Sequence, residues 1–247
     1  MVSRGWWHGA LGQAHRAEAC VHRRTDSPHA SRVGVALMFG HQDLMLCTST
    51  GKPFTRSGWL FELKYDGFRV LIAKHGKQMR LLSRRGRDMA RSFPELIACL
   101  RDLPDVVIDG ELVVLNDMGA PLFERLRWRA LMAQHREVTH AAQTEPAAIF
   151  AFDLLALDGQ DLRERALVER KAALETVLAR CPRIKLASHI EHEGEAFYDQ
   201  VSQLGLEGIV CKRASSPYVA GPSRDWVKVK TAAGMQVDDE RLRHLRA

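Results

Sequence analysis

The sequence predicts an α+β fold in which largely antiparallel sheets are flanked by helices. Strand-like and helix-like segments follow one another irregularly, which argues against the regular β-α-β-α order of a parallel sheet. Short runs rich in aromatic and β-branched residues end at turn-forming sequences, as is typical of antiparallel strands. The chain has 247 residues, enough for one large domain or two small ones with a sizeable core.

The composition is that of an ordinary globular protein, with 46% hydrophobic and 27% charged residues. It excludes a collagen, a coiled-coil rod and a largely disordered chain. We expect neither a transmembrane helix, since no apolar window approaches about 18 residues, nor a secretory signal. The net charge of +6 is compatible with binding of nucleic acid or nucleotides. The odd number and wide spacing of the five cysteines predict free thiols.

Three segments are predicted from the composition along the chain. Residues 1–42 form a basic N-terminal extension, expected to be poorly ordered because glycines interrupt it. Residues 43–230 form the folded domain, and residues 231–247 form a short tail. Histidines recur every seven residues in the extension, which we interpret as chance rather than as a metal-binding stripe. They are His8, His15, His22 and His29.

The first half of the domain is predicted as strand, strand, helix and strand. Residues 59–73 are rich in aromatic and branched side chains, and a turn at residues 75–77 precedes a second strand over 79–82. Residues 92–103 place apolar side chains at helical spacing. Residues 106–115 read as a strand that ends at a turn containing Asn, Asp and Gly.

The second half is predicted as strand, helix and two short strands. Residues 149–157 form an apolar strand that ends at an Asp-Gly turn. Residues 167–181 have the clearest helical periodicity, and Pro182 ends that helix. Residues 208–212 and 226–230 are short strands.

Charged residues inside these strands carry the functional information. Glu62, Lys64 and Asp66 alternate, so they share one face if the strand continues through them. Gly67 permits a sharp turn or a close approach to a ligand. A lysine held between carboxylates and a cation can act as a covalent nucleophile. A solvated face with alternating ion pairs is an equally good interpretation of this segment alone.

Two further segments place polar or aromatic residues within apolar strands. Asp109 and Glu111 flank a glycine, which suggests a ribose or metal ligand, although a tight turn is the simpler interpretation. Phe150 and Phe152 lie on one strand face. One of them could stack on a base, but a core role is the more common one for an aromatic side chain.

The C-terminal strands carry lysines on one face. Lys228 and Lys230 alternate, and because like charges repel, this pair favours an anion such as a phosphate chain. A solvated edge strand protected by lysines is the alternative.

The order and spacing of these segments resemble the motifs of the covalent nucleotidyltransferases, which include ATP-dependent DNA ligases, RNA ligases and mRNA capping enzymes. The matching motifs are Lys-x-Asp-Gly-x-Arg at 64–69, Asp-Gly-Glu at 109–111, the aromatic-acid strand at 150–155, Glu-Gly-Ile-Val-x-Lys at 207–212 and Val-Lys-Val-Lys at 227–230. The flanking residues are similar to those of the bacterial ligase D type, which acts in DNA end joining. The resemblance covers roughly residues 43–230, and five ordered motifs make it specific.

The resemblance implies an ATP-grasp-like fold and a residue-by-residue set of roles. Lys64 would attack the α-phosphate of ATP and form lysyl–AMP, and the AMP would then pass to the 5′-phosphate of nicked double-stranded DNA. The other implied roles are phosphate neutralisation by Lys228 and Lys230, Mg²⁺ or Mn²⁺ binding by Glu207, nucleotide binding by Glu62, Arg69, Glu111, Phe152 and Lys212, and DNA contact by Arg84. Glu62 would lie against the base, Phe152 would stack on it, and Arg69 and Glu111 would bind the ribose.

Relatives of this type continue into an OB-fold, whereas this sequence stops 17 residues after Lys230. We therefore expect an adenylation domain in a bacterial cytoplasm, associated with the nucleoid, that works with end-joining proteins or with an OB-fold supplied in trans. Three alternatives stay open: an RNA ligase or capping-type enzyme, a non-catalytic remnant that only binds nicked DNA, and a truncated gene product.

Overall fold

The computed structural model describes residues 38–179 and 181–237. The strands of these ranges are β1 Met45–Ser49, β2 Trp59–Leu63, β3 Phe68–His75, β4 Gln78–Ser83, β5 Val106–Val114, β6 Ala147–Leu157, β7 Gln160–Asp161, β8 Ile184–Leu186, β9 His189–Glu191, β10 Gly208–Arg213 and β11 Gly221–Lys230. The helices are α1 Pro94–Leu100, α2 Phe123–Leu131, α3 His135–Thr144, α4 Leu167–Leu178 and α5 Gly194–Gln203. Short 3₁₀ turns lie at His41–Asp43 and Ala90–Ser92, and residues 232–237 are helical. None of the described helices has the length and apolar character needed to cross a membrane.

The strands form two sheets. The first has the order β1-β11-β10-β2-β9, and the second has the order β4-β3-β5-β6-β7 with β8 beside β6. Pairing is parallel between β1 and β11 and between β6 and β8, and antiparallel between the other neighbours. The predicted α+β class with largely antiparallel sheets is therefore confirmed.

Three apolar clusters divide the molecule into layers. One cluster joins the second sheet to α1 and α4, and another joins the first sheet to α5. The third contains Met45 and Trp226 of the first sheet and Leu71, Val107 and Leu155 of the second. The two sheets therefore pack face to face through this third cluster, with helices outside both of them.

Residues 59–73 do not form one strand, as the sequence suggested, but two strands in different sheets. β2 ends at Leu63 and β3 begins at Phe68. The chain crosses between the sheets at residues 64–67, where a Cβ on Gly67 would lie only 2.2 Å from the carbonyl oxygen of Leu112. Glycine is thus required by close approach of another backbone. Since the strand does not continue, Glu62, Lys64 and Asp66 do not share a strand face.

The other predicted elements are present with adjusted ends, and several elements were missed. The predicted strands over residues 106–115, 149–157, 208–212 and 226–230 correspond to β5, β6, β10 and β11, whereas α1 and α4 are shorter than predicted. The Asp-Gly-Glu sequence lies inside β5 rather than in a turn. α2 and α3 bury only three and two residues respectively, so few apolar side chains mark them in the sequence.

The expectation of free thiols holds only in part. Cys99 of α1 and Cys181, which follows α4, form a disulfide with their Cα atoms 5.7 Å apart. Because 82 positions separate them, their spacing gave no sign of the pairing. Cys47 and Cys211 are free.

Predictions for the two ends fall partly outside the described residues. The four histidines and Cys20 of the N-terminal extension lie there, as do residues 238–247 of the tail. Of the residues placed in the extension, Phe39 is described, and it is buried in the cluster between the sheets.

A buried ion pair ties α4 to the second sheet. Nε of Arg170 lies 2.7 Å from Oδ1 of Asp153, Nη2 lies 2.8 Å from Oδ2, and both side chains are fully buried. Arg170 also donates to the carbonyl oxygen of Ser216, 2.9 Å away. Removing either charge alone would leave the other one buried without compensation.

We expect Asp153→Ala to lower the free energy of unfolding by about 3–5 kcal/mol, because it strands a buried guanidinium. Glu124→Ala is the matched control, since Glu124 and Arg127 form an exposed pair 3.6 Å apart and such pairs contribute about 0–1 kcal/mol. Urea unfolding followed by circular dichroism measures both. Equal effects of the two substitutions would contradict the assigned role of Arg170.

Candidate active site

Strand alternation directs charged side chains into the space between the sheets. In the first sheet Phe61, Ile209 and Val229 face α5, so their neighbours in sequence face the second sheet. Those neighbours are Glu62, Lys228 and Lys230. In the second sheet, Leu71 and Val107 face the first sheet. Because side chains alternate along a strand, the residue two before Leu71 and the residues two and four after Val107 face the first sheet as well. These are Arg69, Asp109 and Glu111.

Lys64 lies at the point where the chain leaves the first sheet. Its backbone N–H donates to the carbonyl oxygen of Gly208, 2.9 Å away, which extends the β2–β10 ladder by one residue. Its Nζ lies 2.6 Å from Oε1 of Glu207, and Nζ of Lys230 lies 3.0 Å from the same oxygen. The structure thus brings together the predicted nucleophile, the predicted metal ligand and one of the two lysines predicted to bind phosphate.

Glu207 keeps one oxygen without a partner. Its Oε2 atom is buried and has no hydrogen-bond partner in residues 38–179 and 181–237. An uncompensated buried carboxylate oxygen is costly unless a ligand satisfies it. A divalent cation is one group that would do so. Among the described residues, no cluster of three or more His, Cys, Asp or Glu side chains could hold a metal alone.

Glu62 is held by two ammonium groups. Its Oε1 accepts a hydrogen bond from Nζ of Lys171 and its Oε2 faces Nζ of Lys212, each at 2.7 Å, and all three side chains are buried. Burial alone would raise the pKa of Glu62, but the two ammonium groups reverse this and hold it below its ordinary value. Burial also lowers the pKa of Lys212.

Sequence reasoning missed Lys171, although a signal was present. Lys171 lies four residues after Leu167 and three before Leu174, within the buried stripe of α4. A lysine inside the apolar stripe of an amphipathic helix requires a partner, and this could have been recognised from the spacing.

Arg69 anchors the opposite wall. It donates to Asp109 from Nε at 3.0 Å and from Nη2 at 2.6 Å, and Asp109 is fully buried. The Tyr218 hydroxyl donates to the same carboxylate at 2.6 Å. The guanidinium lies 5.4 Å from the ring centre of Phe152 and 5.7 Å from that of Trp226. Arg69 is therefore fixed before any ligand arrives.

Phe152, which the sequence singled out with Phe150, lies among cations. Nζ of Lys212 is 4.1 Å from its ring centre, and the ring meets Trp226 edge to face at 5.8 Å. Phe150 instead stacks on Tyr65, with ring centres 3.9 Å apart. The half-buried Phe152 thus remains the better candidate for a base platform.

Glu111 faces Arg69 across the β3–β5 ladder. Burial raises the pKa of Glu111 to about 8; Glu207 and Asp109 add to the increase, and Lys64 and Arg69 oppose it. It makes no ion pair with any residue of the described part of the chain. At neutral pH this carboxyl group is therefore mostly protonated and able to donate a hydrogen bond.

Cys47 of β1 lies within the same electrostatic environment, which the sequence did not indicate. Burial raises the pKa of its thiol. The cations that oppose this increase all belong to the predicted site: Arg69, Lys212, Lys228 and Lys64.

Arg84 is the one predicted site residue that lies outside this cluster. It is exposed in the turn after β4, closed by the Gly86 N–H to Ser83 carbonyl hydrogen bond of 2.8 Å.

Two facing sheets with a lysine, paired cations and carboxylates between them are the arrangement that the resemblance to the nucleotidyltransferases implies. Residues 45–230 match the family described as ATP dependent DNA ligase domain, and the chain belongs to this family. The resemblance found in the motifs is therefore confirmed, and the match favours the DNA ligases over the RNA ligase and capping alternatives.

Individual relatives agree with this assignment. The SPbeta prophage-derived DNA ligase-like protein LigB of Bacillus subtilis is 33% identical over 75% of this chain and 66% of that protein. The multifunctional non-homologous end joining DNA repair protein LigD of Mycobacterium tuberculosis is 36% identical over 70% of this chain and 22% of that protein. The solved ligase domain of M. tuberculosis LigD superimposes with a TM-score of 0.63 at 30% identity, covering 78% of this chain and 61% of that one. The chain thus spans less than two thirds of the length of these relatives.

The raised pKa of Glu111 predicts a pH-dependent stability. Its pKa is about 8 in the folded chain, against an ordinary value of 4.5. Between about pH 5 and pH 8 the folded chain keeps a proton that the unfolded chain has released, so the stability contributed by this group falls as the pH rises. Glu111→Gln removes this titration. We therefore expect the melting temperature of wild type, measured against that of Glu111→Gln, to fall as the pH rises from about 5 to about 8.

Thermal unfolding at half-unit pH steps, without nucleotide or metal, measures the difference. Glu175→Gln is the control, since Glu175 is exposed on α4. A difference between Glu111→Gln and wild type that stays constant with pH would contradict the pKa assignment.

Proposed function

We propose that the chain activates ATP by forming lysyl–AMP at Lys64 and transfers the AMP to the 5′-phosphate of nicked DNA. The observation that carries this proposal is the position of Nζ of Lys64, which contacts Glu207 beside Lys230 in the space between the sheets. The family to which the chain belongs supports ATP as the nucleotide.

In the first step Nζ of Lys64 attacks the α-phosphorus, an N–P bond forms, and the bond to the bridging oxygen breaks to release pyrophosphate. A lysine attacks only after losing a proton. Oε1 of Glu207, 2.6 Å from Nζ, is placed to accept that proton. In the later steps the AMP moves to the 5′-phosphate, and the 3′-hydroxyl displaces it as the strand is sealed.

Lys228 and Lys230 neutralise phosphate charge in this proposal. Both lie on β11 with their side chains toward the second sheet, and Lys230 already faces the carboxylate beside Lys64. Positive charge fixed before the reaction stabilises the charge that develops on the α-phosphate at no further cost of reorganisation.

The nucleoside would lie between the two walls of the site. Phe152 offers a half-buried ring for stacking on the base, with Lys212 against it. Glu62, held ionised by two lysines, is an acceptor for an exocyclic amine. Arg69 and the protonated Glu111 are donors for the ribose hydroxyls.

Glu207 fits a role in binding Mg²⁺ or Mn²⁺, since its Oε2 is buried without a hydrogen-bond partner in the described part of the chain. Mg²⁺ is commonly held by one or two carboxylates together with substrate phosphates. When bound, the cation would polarise the α-phosphate.

We further propose that the sealing steps require protein beyond this domain, such as an OB-fold or end-joining proteins, and that the chain works at the bacterial nucleoid. The M. tuberculosis relative is described as a multifunctional end-joining repair protein, and the match covers 22% of it. Arg84 is the proposed contact to DNA phosphate.

The nucleophile is tested by the intact mass of the protein after incubation with ATP and Mg²⁺. We expect a gain of one AMP that pyrophosphate reverses, and no gain for Lys64→Ala. Lys77→Ala is the matched control, because Lys77 is exposed in the turn between β3 and β4. AMP attached to the Lys64→Ala protein would refute the assignment.

Lys171 is expected to act on ATP through Glu62. Lys171→Met removes one of the hydrogen bonds that orient this carboxylate, so the KM for ATP should rise about tenfold or more, since a hydrogen bond to a charged group contributes about 1.5–3 kcal/mol. Lys171→Arg should restore part of the loss. Lys185→Met, at an exposed lysine of β8, is the control.

Initial rates of lysyl–AMP formation at varied ATP concentration separate KM from kcat. A lower kcat at unchanged KM would show that Lys171 does not act through nucleotide binding.

A further inference from the structure

The turn that follows β11 is anchored to the segment that precedes β10. The backbone N–H of Thr231 donates to the carbonyl oxygen of Glu207 at 3.1 Å, and the Thr231 hydroxyl donates to that of Leu206 at 2.5 Å. Thr231 is 1% exposed, so water does not compete for these bonds. One buried residue therefore fixes the backbone that carries the Glu207 side chain.

The Thr231 hydroxyl also begins the helical turn over residues 232–237. Its oxygen accepts a hydrogen bond from the backbone N–H of Gly234, 3.1 Å away, as the side chain of an N-cap residue does. A hydroxyl group can donate one hydrogen bond and accept another at the same time. Valine has the shape of threonine but can do neither, whereas serine can do both.

Gly234 lies directly against the backbone of Glu207. A Cβ atom on Gly234 would lie 2.0 Å from the carbonyl oxygen of Glu207, 2.9 Å from its carbonyl carbon and 3.1 Å from its Cα atom. Gly234 is buried and helical. The close approach of the two backbones therefore requires glycine at this position.

Glu207 is held from behind in this way, while its side chain faces the predicted nucleophile. Its Oε1 atom lies 2.6 Å from Nζ of Lys64 and 3.0 Å from Nζ of Lys230. The next residue, Gly208, accepts a hydrogen bond from the backbone N–H of Lys64 at 2.9 Å. A shift of residues 206–208 would therefore move both the carboxylate and the backbone of Lys64.

We infer that Thr231 and Gly234 are positioning residues that hold Glu207 against Lys64, an inference that rests on the proposed function. They act through the backbone of Glu207, since the Thr231 hydroxyl is occupied by Leu206 and Gly234, and glycine has no side chain. The family match ends at residue 230 and assigns no role to either residue. Residues 231–234, which the composition placed in the tail, thus support the active site.

The test uses three variants. Thr231→Val removes both hydrogen bonds of the hydroxyl and keeps its shape, Thr231→Ser keeps the hydroxyl, and Gly234→Ala inserts a methyl group against Glu207. Because alanine favours a helix more than glycine does, a loss of activity in Gly234→Ala would come from the position of the methyl group.

Two control variants carry the same chemical changes elsewhere. Thr139→Val removes an exposed hydroxyl that donates to the carbonyl oxygen of His135 at 2.8 Å within α3. Gly51→Ala adds a methyl group that, apart from its chain neighbours, would meet no atom of residues 38–179 or 181–237 within 4 Å.

Lysyl–AMP formation is followed by intact mass at varied ATP concentration. We expect Thr231→Val and Gly234→Ala to lower the rate at saturating ATP by about tenfold to a hundredfold, since a displacement of about 1 Å can have an effect of this size. The ATP concentration that gives half of the maximal rate should change by less than about twofold, because Glu207 contacts the nucleophile rather than the nucleoside. Thr231→Ser should keep most of the wild-type rate, and both controls should match wild type.

Hydrogen exchange measured by mass spectrometry tests the same positioning without ATP. Peptides that cover residues 206–210 should exchange faster in Thr231→Val and Gly234→Ala, while peptides of the second sheet keep wild-type protection. Faster exchange throughout the chain would show a general loss of stability and would overturn the inference.

A wild-type rate at saturating ATP in both variants would also overturn it, as would a higher half-saturating ATP concentration at an unchanged maximal rate. A wild-type chain that forms no lysyl–AMP would instead refute the proposed function. The exchange of residues 206–210 then still decides whether Thr231 and Gly234 hold Glu207, and unchanged protection in both variants would show that they do not.

Discussion

Glu62 lies 2.7 Å from each of two buried lysine ammonium groups, and this arrangement illustrates the constraint under which the site is built. Charge placed between two packed sheets loses most of its hydration and must be compensated by nearby charge. Lys171 reaches this space from α4, outside the second sheet. The charge of Glu62 is therefore neutralised only when α4 and the two sheets keep these relative positions.

Four buried carboxyl groups in and beside the site fall into two groups. Asp109 and Asp153 are saturated by Arg69 and Arg170, and they fix the walls. Glu207 instead keeps a buried oxygen without a partner among the described residues, and the pKa of the neighbouring Glu111 is raised. Protein groups therefore compensate Glu207 and Glu111 only in part, so a ligand can bind to these two carboxyl groups, which lie beside the rigid walls of the site.

Sequence patterns identified the strands in which apolar residues recur regularly. They missed helices, such as α2 and α3, that bury only a few residues on one side. β5 and β6 were identified because nearly every residue packs on a helix or on the other sheet. The sequence offered a turn at Gly67 but did not show that the chain crosses between sheets there, because the Leu112 carbonyl that approaches Gly67 belongs to a strand 45 positions away. The Cys99–Cys181 pair was missed for the same reason.

By itself the sequence determined the fold class, the family and the ordered set of charged residues, because motif spacing and strand alternation are local properties. It did not determine which of those charges meet. That Lys64 and Lys230 both contact Glu207, that Lys171 completes the pairing of Glu62, and that the exposed Arg84 lies outside this cluster were decided by the tertiary packing. Contacts between sheets join residues far apart in the chain, and no local pattern encodes them.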